Sequence, residues 1–170
     1  MAWAADRRVR QWLALGGFAA AVVVYNGLTE WSRNHALMIN QTESLPNWAF
    51  WVQRDRDPDL GQYVFFTPPA NSVVRAYFGE KPVPFGKRVL GVAGDLVTHD
   101  GPLVRVNGRA VARIKPRSRR GDRLAPGPVG IIPRGCYYVG TDHPDGFDSR
   151  YAAIGFVCSR QVFGTGTPIL

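Results

Sequence analysis

Three short segments carry side chains whose types and spacing suit nucleophilic and proton-transfer chemistry. The first is Gln41-Thr42-Glu43-Ser44-Leu45-Pro46. A serine in a tight turn ahead of a strand, fixed by Pro46, presents its hydroxyl at a sheet edge, although most Ser-x-Pro turns are only turns. The second is the run from Phe85 to Asp95, FGKRVLGVAGD. In a strand Lys87 and Arg88 point to opposite faces, while Lys87, Val89 and Gly91 share one. A lysine on an inward apolar face must be neutral or paired, because an isolated buried ammonium is costly. Burial lowers a lysine pKa by as much as roughly 3–5 units, which turns an inert cation into a base near neutral pH. The plainer reading is that Lys87 snorkels to solvent. The third is GTDHPDGFDSR, residues 140–150, between two strand-like runs. There Asp148 and Arg150 are two apart, so they can brace one another on one side of an extended segment, if only as a structural ion pair.

Other chemistries find less support. His143 and Asp148 share the last segment and would suit a Ser/His/Asp triad. His143, however, sits in a His-Pro-Asp-Gly turn that needs no catalytic explanation, and nothing surrounds His35 or His99. Three scattered histidines and two cysteines show no ligand spacing, so neither metal nor cofactor is expected. The net charge of +8 suggests nucleic acid or an anionic membrane. Its distribution argues against nucleic acid. Arg7, Arg8 and Arg10 precede an apolar segment, and Arg113, Lys115, Arg117, Arg119, Arg120 and Arg123 crowd a Pro/Gly-rich stretch without interleaved aromatics. These charges read as solvated or lipid-facing.

The elements that must position the three segments follow from the rest of the chain. Residues 12–25, WLALGGFAAAVVVY, carry no charge, and the run extends to Leu28. That is the length of a short membrane span, with Trp12 and Tyr25 as interfacial aromatics. The organisation expected is a cytoplasmic tail over 1–11, a transmembrane anchor over 12–28 and an extracytoplasmic domain over 29–170. The three early arginines keep the N-terminus inside. A cleavable export signal has the same charged start, but no A-x-A-like site clearly follows Val24. Cys136 and Cys158 fit an oxidising compartment. Antiparallel pairing of their runs would bring them close, as a disulfide or as two buried thiols.

Thirteen prolines and nineteen glycines among 170 residues favour a mostly β, loop-rich domain. Residues 30–43 read as a polar connector, and 44–55 move from a turn into a strand. Residues 61–69 form a strand stopped by Pro68 and Pro69. The stretch 71–80 is helix or strand. Residues 87–101 read as strand, glycine turn, strand, and 115–130 as a basic surface loop. LVRVNGRAVAR is a hairpin about Asn107-Gly108. CYYVGT and IGFVCSRQVFGT close the chain.

Taken in order, Ser44-Leu45-Pro46, the Lys87–Asp95 box and the Gly140–Arg150 box followed by Ile154-Gly155-Phe156-Val157 resemble the type I signal peptidase family over about residues 40–165. The TraF-type conjugative transfer peptidases share the Phe50-Trp51 pair and VRVNG. The resemblance implies an antiparallel β catalytic domain with long loops behind one transmembrane helix. It makes Ser44 the nucleophile and Lys87 the general base. The Ser44 N–H and the Thr42 hydroxyl would hold the oxyanion, with Arg88, Asp148 and Arg150 in support. The chain departs from the pattern at Thr141-Asp142, where Asp-Asn is usual. It departs again at Gly146, where many relatives place a serine, and at Trp48, often a glycine.

The implied activity is a membrane-bound serine endopeptidase on the periplasmic side of an inner membrane. Its substrate would be an exported pilin-like subunit, with cyclisation of the product in some members. The implied partners are membrane lipid and conjugation or type IV secretion components, with no nucleic acid. The alternatives are a general signal peptidase acting on preproteins, and a non-catalytic membrane-tethered scaffold whose basic 113–123 loop docks on lipid or an acidic partner.

Overall fold

The computed structural model describes residues 2–54 and 56–169, with helix side chains from Arg7 onward, in two units, Met1–Ala36 and Leu37–Leu170. The outermost positions of the expected organisation, Met1 and Leu170, and Asp55 at the end of the 44–55 segment lie outside the described residues.

The first unit is built on α1 (Ala2–Asn34). Alanine, leucine and valine dominate it and proline is absent, which offsets the propensity cost of Gly16 and Gly17, about 1 kcal/mol each. Arg7–Asn34 has a mean hydropathy of 1.5 over its most apolar window, none of it buried, and is long enough to cross a membrane. The expected connector over 30–43 is corrected here. Helix continues to Asn34 because Glu30 and Arg33 pair at 3.0 Å one turn apart, and Arg33 lies in the last turn, facing the negative end of the dipole.

After the helix come β1 (His35–Ile39), β2 (Ala49–Arg54), β3 (Tyr63–Phe66), the short helix α2 (Ser72–Phe78), β4 (Phe85–Gly91) and β5 (Leu96–Asp100). Then follow β6 (Leu103–Val106), β7 (Arg109–Arg113), β8 (Gly130–Ile131), β9 (Cys136–Gly140), β10 (Val157–Cys158) and β11 (Val162–Pro168). A seven-stranded sheet has the order β1-β2-β11-β3-β4-β9-β10, and a four-stranded sheet the order β7-β6-β5-β8. The ladders β2–β11, β11–β3, β3–β4, β4–β9 and β9–β10 are antiparallel. The fold class is therefore mostly antiparallel β behind one apolar helix.

Local chemistry explains the details. Asn71 Oδ1 accepts from Val74 N at 2.9 Å, an N-cap that settles 71–80 as helix α2. Asn107 and Gly108 both have positive φ, 49° and 79°, as a type I′ hairpin turn requires. Sequence reading missed β11 as a separate strand because Gly164 and Gly166 interrupt its pattern. Those glycines are what let it lie between β2 and β3: a Cβ at Gly166 would lie 2.6 Å from the Phe65 ring.

One core holds Val64, Phe66, Val74, Val89, Val139, Ile154 and Val157, and a second holds Val97, Val104, Val106, Ile132, Tyr138 and Tyr151. The two meet along β4, where a register shift falls between Val89 and Gly91. That bulge corrects the expected strict alternation. Gly91 turns to the second core, 2.8 Å from Ile132 Cδ1 and 3.0 Å from Val106 Cγ1 when given a Cβ, rather than sharing the face of Lys87 and Val89.

Cys136 and Cys158 are direct ladder partners and form a disulfide across a separation of 22 residues. Replacing both with serine should cost about 3 kcal/mol of stability, the loop-closure estimate for this span. Urea unfolding of the chain with and without the bridge measures it.

Candidate active site

Ser44 lies in the loop between β1 and β2, half-buried, and the loop is organised by one side chain. Asn40 Nδ2 donates to the carbonyls of Leu45 and Asn47, each at 3.1 Å, while Asn40 Oδ1 accepts from the Thr42 N–H at 3.2 Å. This ties the loop into a turn whose hydroxyls converge: Thr42 Oγ1 and Ser44 Oγ are 2.8 Å apart, and the Ser44 N–H reaches Thr42 Oγ1 at 3.4 Å. Sequence reading passed over Asn40 as connector. The signal was an Asx residue two positions before a Thr-x-Ser turn.

Lys87 is 5% exposed in the middle of β4. Its ladder partner on β3 is Val64, and along its own face stand Phe85 and Val89. Burial in that apolar face lowers its pKa below the ordinary 10.5; the Asp148 carboxylate opposes the shift and the Arg150 guanidinium adds to it.

The serine and lysine segments meet through their neighbours. Leu45 is 7% exposed, and its Cδ1 would be 3.2 Å from a Cβ at Gly86, with the Phe65 ring at 2.8 Å. Residue 45 therefore rests where residue 86 has no side chain. The Leu45 side chain is thus seated on β4 at Gly86, on the face shared with Arg88 and opposite to Lys87. Neither Leu45 nor Gly86 was singled out from sequence, since a close approach of two distant segments leaves no local pattern.

Asp148 and Arg150 are both buried, 0% and 2% exposed, and bind in a two-pronged pair: Nε to Oδ1 at 2.8 Å and Nη2 to Oδ2 at 2.9 Å. Arg150 Nη2 also donates to the Thr141 carbonyl at 2.7 Å, and Asp148 Oδ2 accepts from the Thr141 N–H at 3.2 Å. Between them Ser149 is tied to β9 through Val139, whose N–H reaches Ser149 Oγ at 3.0 Å.

Arg88 is exposed on the opposite face from Lys87 and holds the Gly61 carbonyl at 2.9 Å. It braces the loop before β3 and stands apart from the hydroxyls. His143 Nδ1 accepts from the Asp145 N–H at 3.1 Å, a turn contact, and the Asp148 carboxylate is engaged by Arg150, so the two do not assemble a triad. Trp48 is exposed. At Gly146 a Cβ would meet Thr141 Oγ1 at 2.6 Å, Asp148 Oδ2 at 2.7 Å and Arg150 Nη2 at 2.9 Å, so no side chain fits there without displacement. The basic loop is corrected from free charge to partly paired charge. Lys115 and Arg119 both bind Asp145, whose carboxyl they hold down at about 2, and Arg120 lies over the Tyr77 ring at 4.9 Å. Among the described residues no cluster of His, Cys, Asp or Glu could hold a metal.

The profile of "Signal peptidase, peptidase S26" matches residues 9–170. The chain belongs to the signal peptidase family. Membership makes it a serine peptidase of the signal peptidase type with a preprotein as its substrate class. The crystal structure of a signal peptidase I from Enterococcus faecalis V583 is similar at 22% identity, over 66% of this chain and 98% of that one, with a TM-score of 0.43. A search of curated protein sequences finds no match.

If the Leu45–Gly86 contact sets the site, Gly86→Val should slow preprotein processing by about 10²-fold, the effect of an ångström's misplacement, with the protein still accumulating in membranes. Immunoblots of precursor and product measure it. Asp148→Ala should instead destabilise the fold by about 3–5 kcal/mol, because it leaves the Arg150 charge buried alone. Thermal unfolding distinguishes the two.

Proposed function

We propose that this chain is a membrane-bound serine endopeptidase that cleaves an exported precursor through an acyl-enzyme on Ser44, with Lys87 as general base. The observation that carries the proposal is the desolvated amine of Lys87 on the strand against which the Ser44 loop is packed. A neutral Lys87 amine takes the Ser44 Oγ proton as the oxygen attacks the scissile carbonyl. The Ser44 N–H and the Thr42 hydroxyl turn to the oxyanion; one such donor contributes about 10²–10³ in rate. The Lys87 ammonium then gives its proton to the leaving amine, and Ser44 keeps the acyl group. Water, activated by the same amine, releases it as an acid. The substrate's own amine would release it as a ring.

The anchor is placed at 12–28, with residues 1–11 in the cytoplasm and 29–170 on the periplasmic side of the inner membrane. Support comes from Arg7, Arg8 and Arg10 ahead of the apolar run and from a disulfide suited to an oxidising compartment. For substrate we infer a pilin-like subunit, with conjugation or type IV secretion components and membrane lipid as neighbours. The Phe50-Trp51 pair after Ser44-Leu45-Pro46 and the VRVNG hairpin support that branch.

Ser44→Ala and Lys87→Ala should each reduce processing by about 10⁴-fold or more while the protein still accumulates; retained processing in both refutes the peptidase. Lys87→Arg should not rescue, since a guanidinium stays protonated. The base must be neutral, so kcat/KM should rise with pH through the lowered Lys87 pKa and level off before 10.5. The product mass separates hydrolysis from cyclisation, which leaves one water fewer.

A further inference from the structure

Thr141 follows β9 directly. The β4–β9 ladder sets Arg88 opposite Gly140 and Val89 opposite Val139, so one more step in the same register sets Thr141 opposite Lys87. Directly opposed residues of an antiparallel pair project to the same face. Thr141 is 4% exposed. Its backbone is fully engaged, the N–H by Asp148 and the carbonyl by Arg150. Its Oγ1 is buried and, among the described residues, has no hydrogen-bond partner. Such a hydroxyl is rare and destabilising unless it serves a neighbour.

The space at Gly146 locates that hydroxyl further. Thr141 Oγ1, Asp148 Oδ2 and Arg150 Nη2 surround one point, at 2.6, 2.7 and 2.9 Å from where a Cβ would stand. Asp148 and Arg150 are also the charged groups whose fields act on Lys87. From the other side the amine faces Val64 on β3, and along its own strand Phe85 and Val89, none of which titrates.

We propose that Thr141 is the positioning residue for Lys87: its Oγ1 accepts a hydrogen bond from a Lys87 Nζ–H, with its own proton turned toward Asp148, so that the amine lone pair is left aimed at Ser44. The inference rests on the Ser44/Lys87 reading. The sense of the bond matters, because a hydroxyl that donated to the amine would block the lone pair that must take the serine proton. The two side chains project to one face from opposed positions of the β4–β9 ladder.

The chain has three lysines, Lys81, Lys87 and Lys115. In the full-length protein labelled with [¹³Cε]lysine and held in detergent micelles, each gives one signal, and Lys87→Ala assigns the one of interest. Thr141→Val removes the hydroxyl at nearly constant shape. The ammonium loses an acceptor, so the Lys87 midpoint should fall by about one pH unit. Cleavage of an internally quenched peptide with alanine at the first and third positions before the scissile bond should fall about tenfold, as the amine loses its aim. Thr141→Ser should restore both. A Thr141→Val midpoint equal to that of the wild type overturns the inference, whatever the rate does, and so does a serine variant that fails to restore the midpoint. If the valine variant does not accumulate, alanine against serine at 141 makes the same comparison. A wild-type Lys87 midpoint at the ordinary 10.5 is a different result: it overturns the general-base reading itself.

Discussion

An amine held against apolar neighbours is the constraint on which the β unit is arranged. At 5% exposure Lys87 is disfavoured as an ammonium, and the nearest means of recharging it is the Asp148 carboxylate. Arg150 engages that carboxylate and partly offsets its field. Its Nε, Nη2 and backbone N–H occupy the Asp148 oxygens, with the Thr141 N–H as a fourth donor. A free carboxylate at this position would favour the lysine ammonium more strongly. Paired with Arg150, the carboxylate still opposes the effect of burial, and the lowering by burial prevails. The buried pair therefore acts on Lys87 through opposed fields, the carboxylate favouring the ammonium and the guanidinium the neutral amine.

Close packing carries the same constraint outward. Three positions around the site are glycine because another group occupies the side-chain space. Leu45 and Phe65 fill it at Gly86, Leu90 Cδ1 at 2.7 Å fills it at Gly140, and the polar heads of Thr141, Asp148 and Arg150 fill it at Gly146. None of these three needs positive φ. Their role is approach: they let Leu45 of the serine loop, Leu90 and the side chains of the final loop pack closely without inserting methyl groups between them. Protein interiors transmit such small volume changes rather than absorbing them.

What could be read from the sequence was what depends on nearest neighbours along the chain. The period-two pattern around Lys87 and Val89 foretells a shared inward face, and Asn107-Gly108 a hairpin, because each feature is encoded in a few adjacent residues. What could not be read depends on distant strands. Val162–Pro168 does not read as a strand of its own until β2 and β3 close on its glycines. The bulge that turns Gly91 toward Ile132 is set by β9 across the ladder. Asn40 looks like connector until its amide reaches Leu45 and Asn47. The basic stretch is charged by composition, but its pairing with Asp145 requires the final loop to lie beside it.

That last pairing shows how the final loop is held from two sides with unequal force. Asp148 and Arg150 are sealed from water, so their mutual orientation is strongly fixed. Asp145 with Lys115 and Arg119 lies at the surface, where solvent and salt screen ion pairs and leave them weak. The inner pair sets where Thr141 and the loop backbone stand relative to β4. The outer group of charges only keeps the basic loop folded over them. The final loop therefore combines a rigid interior with a loosely tethered cover.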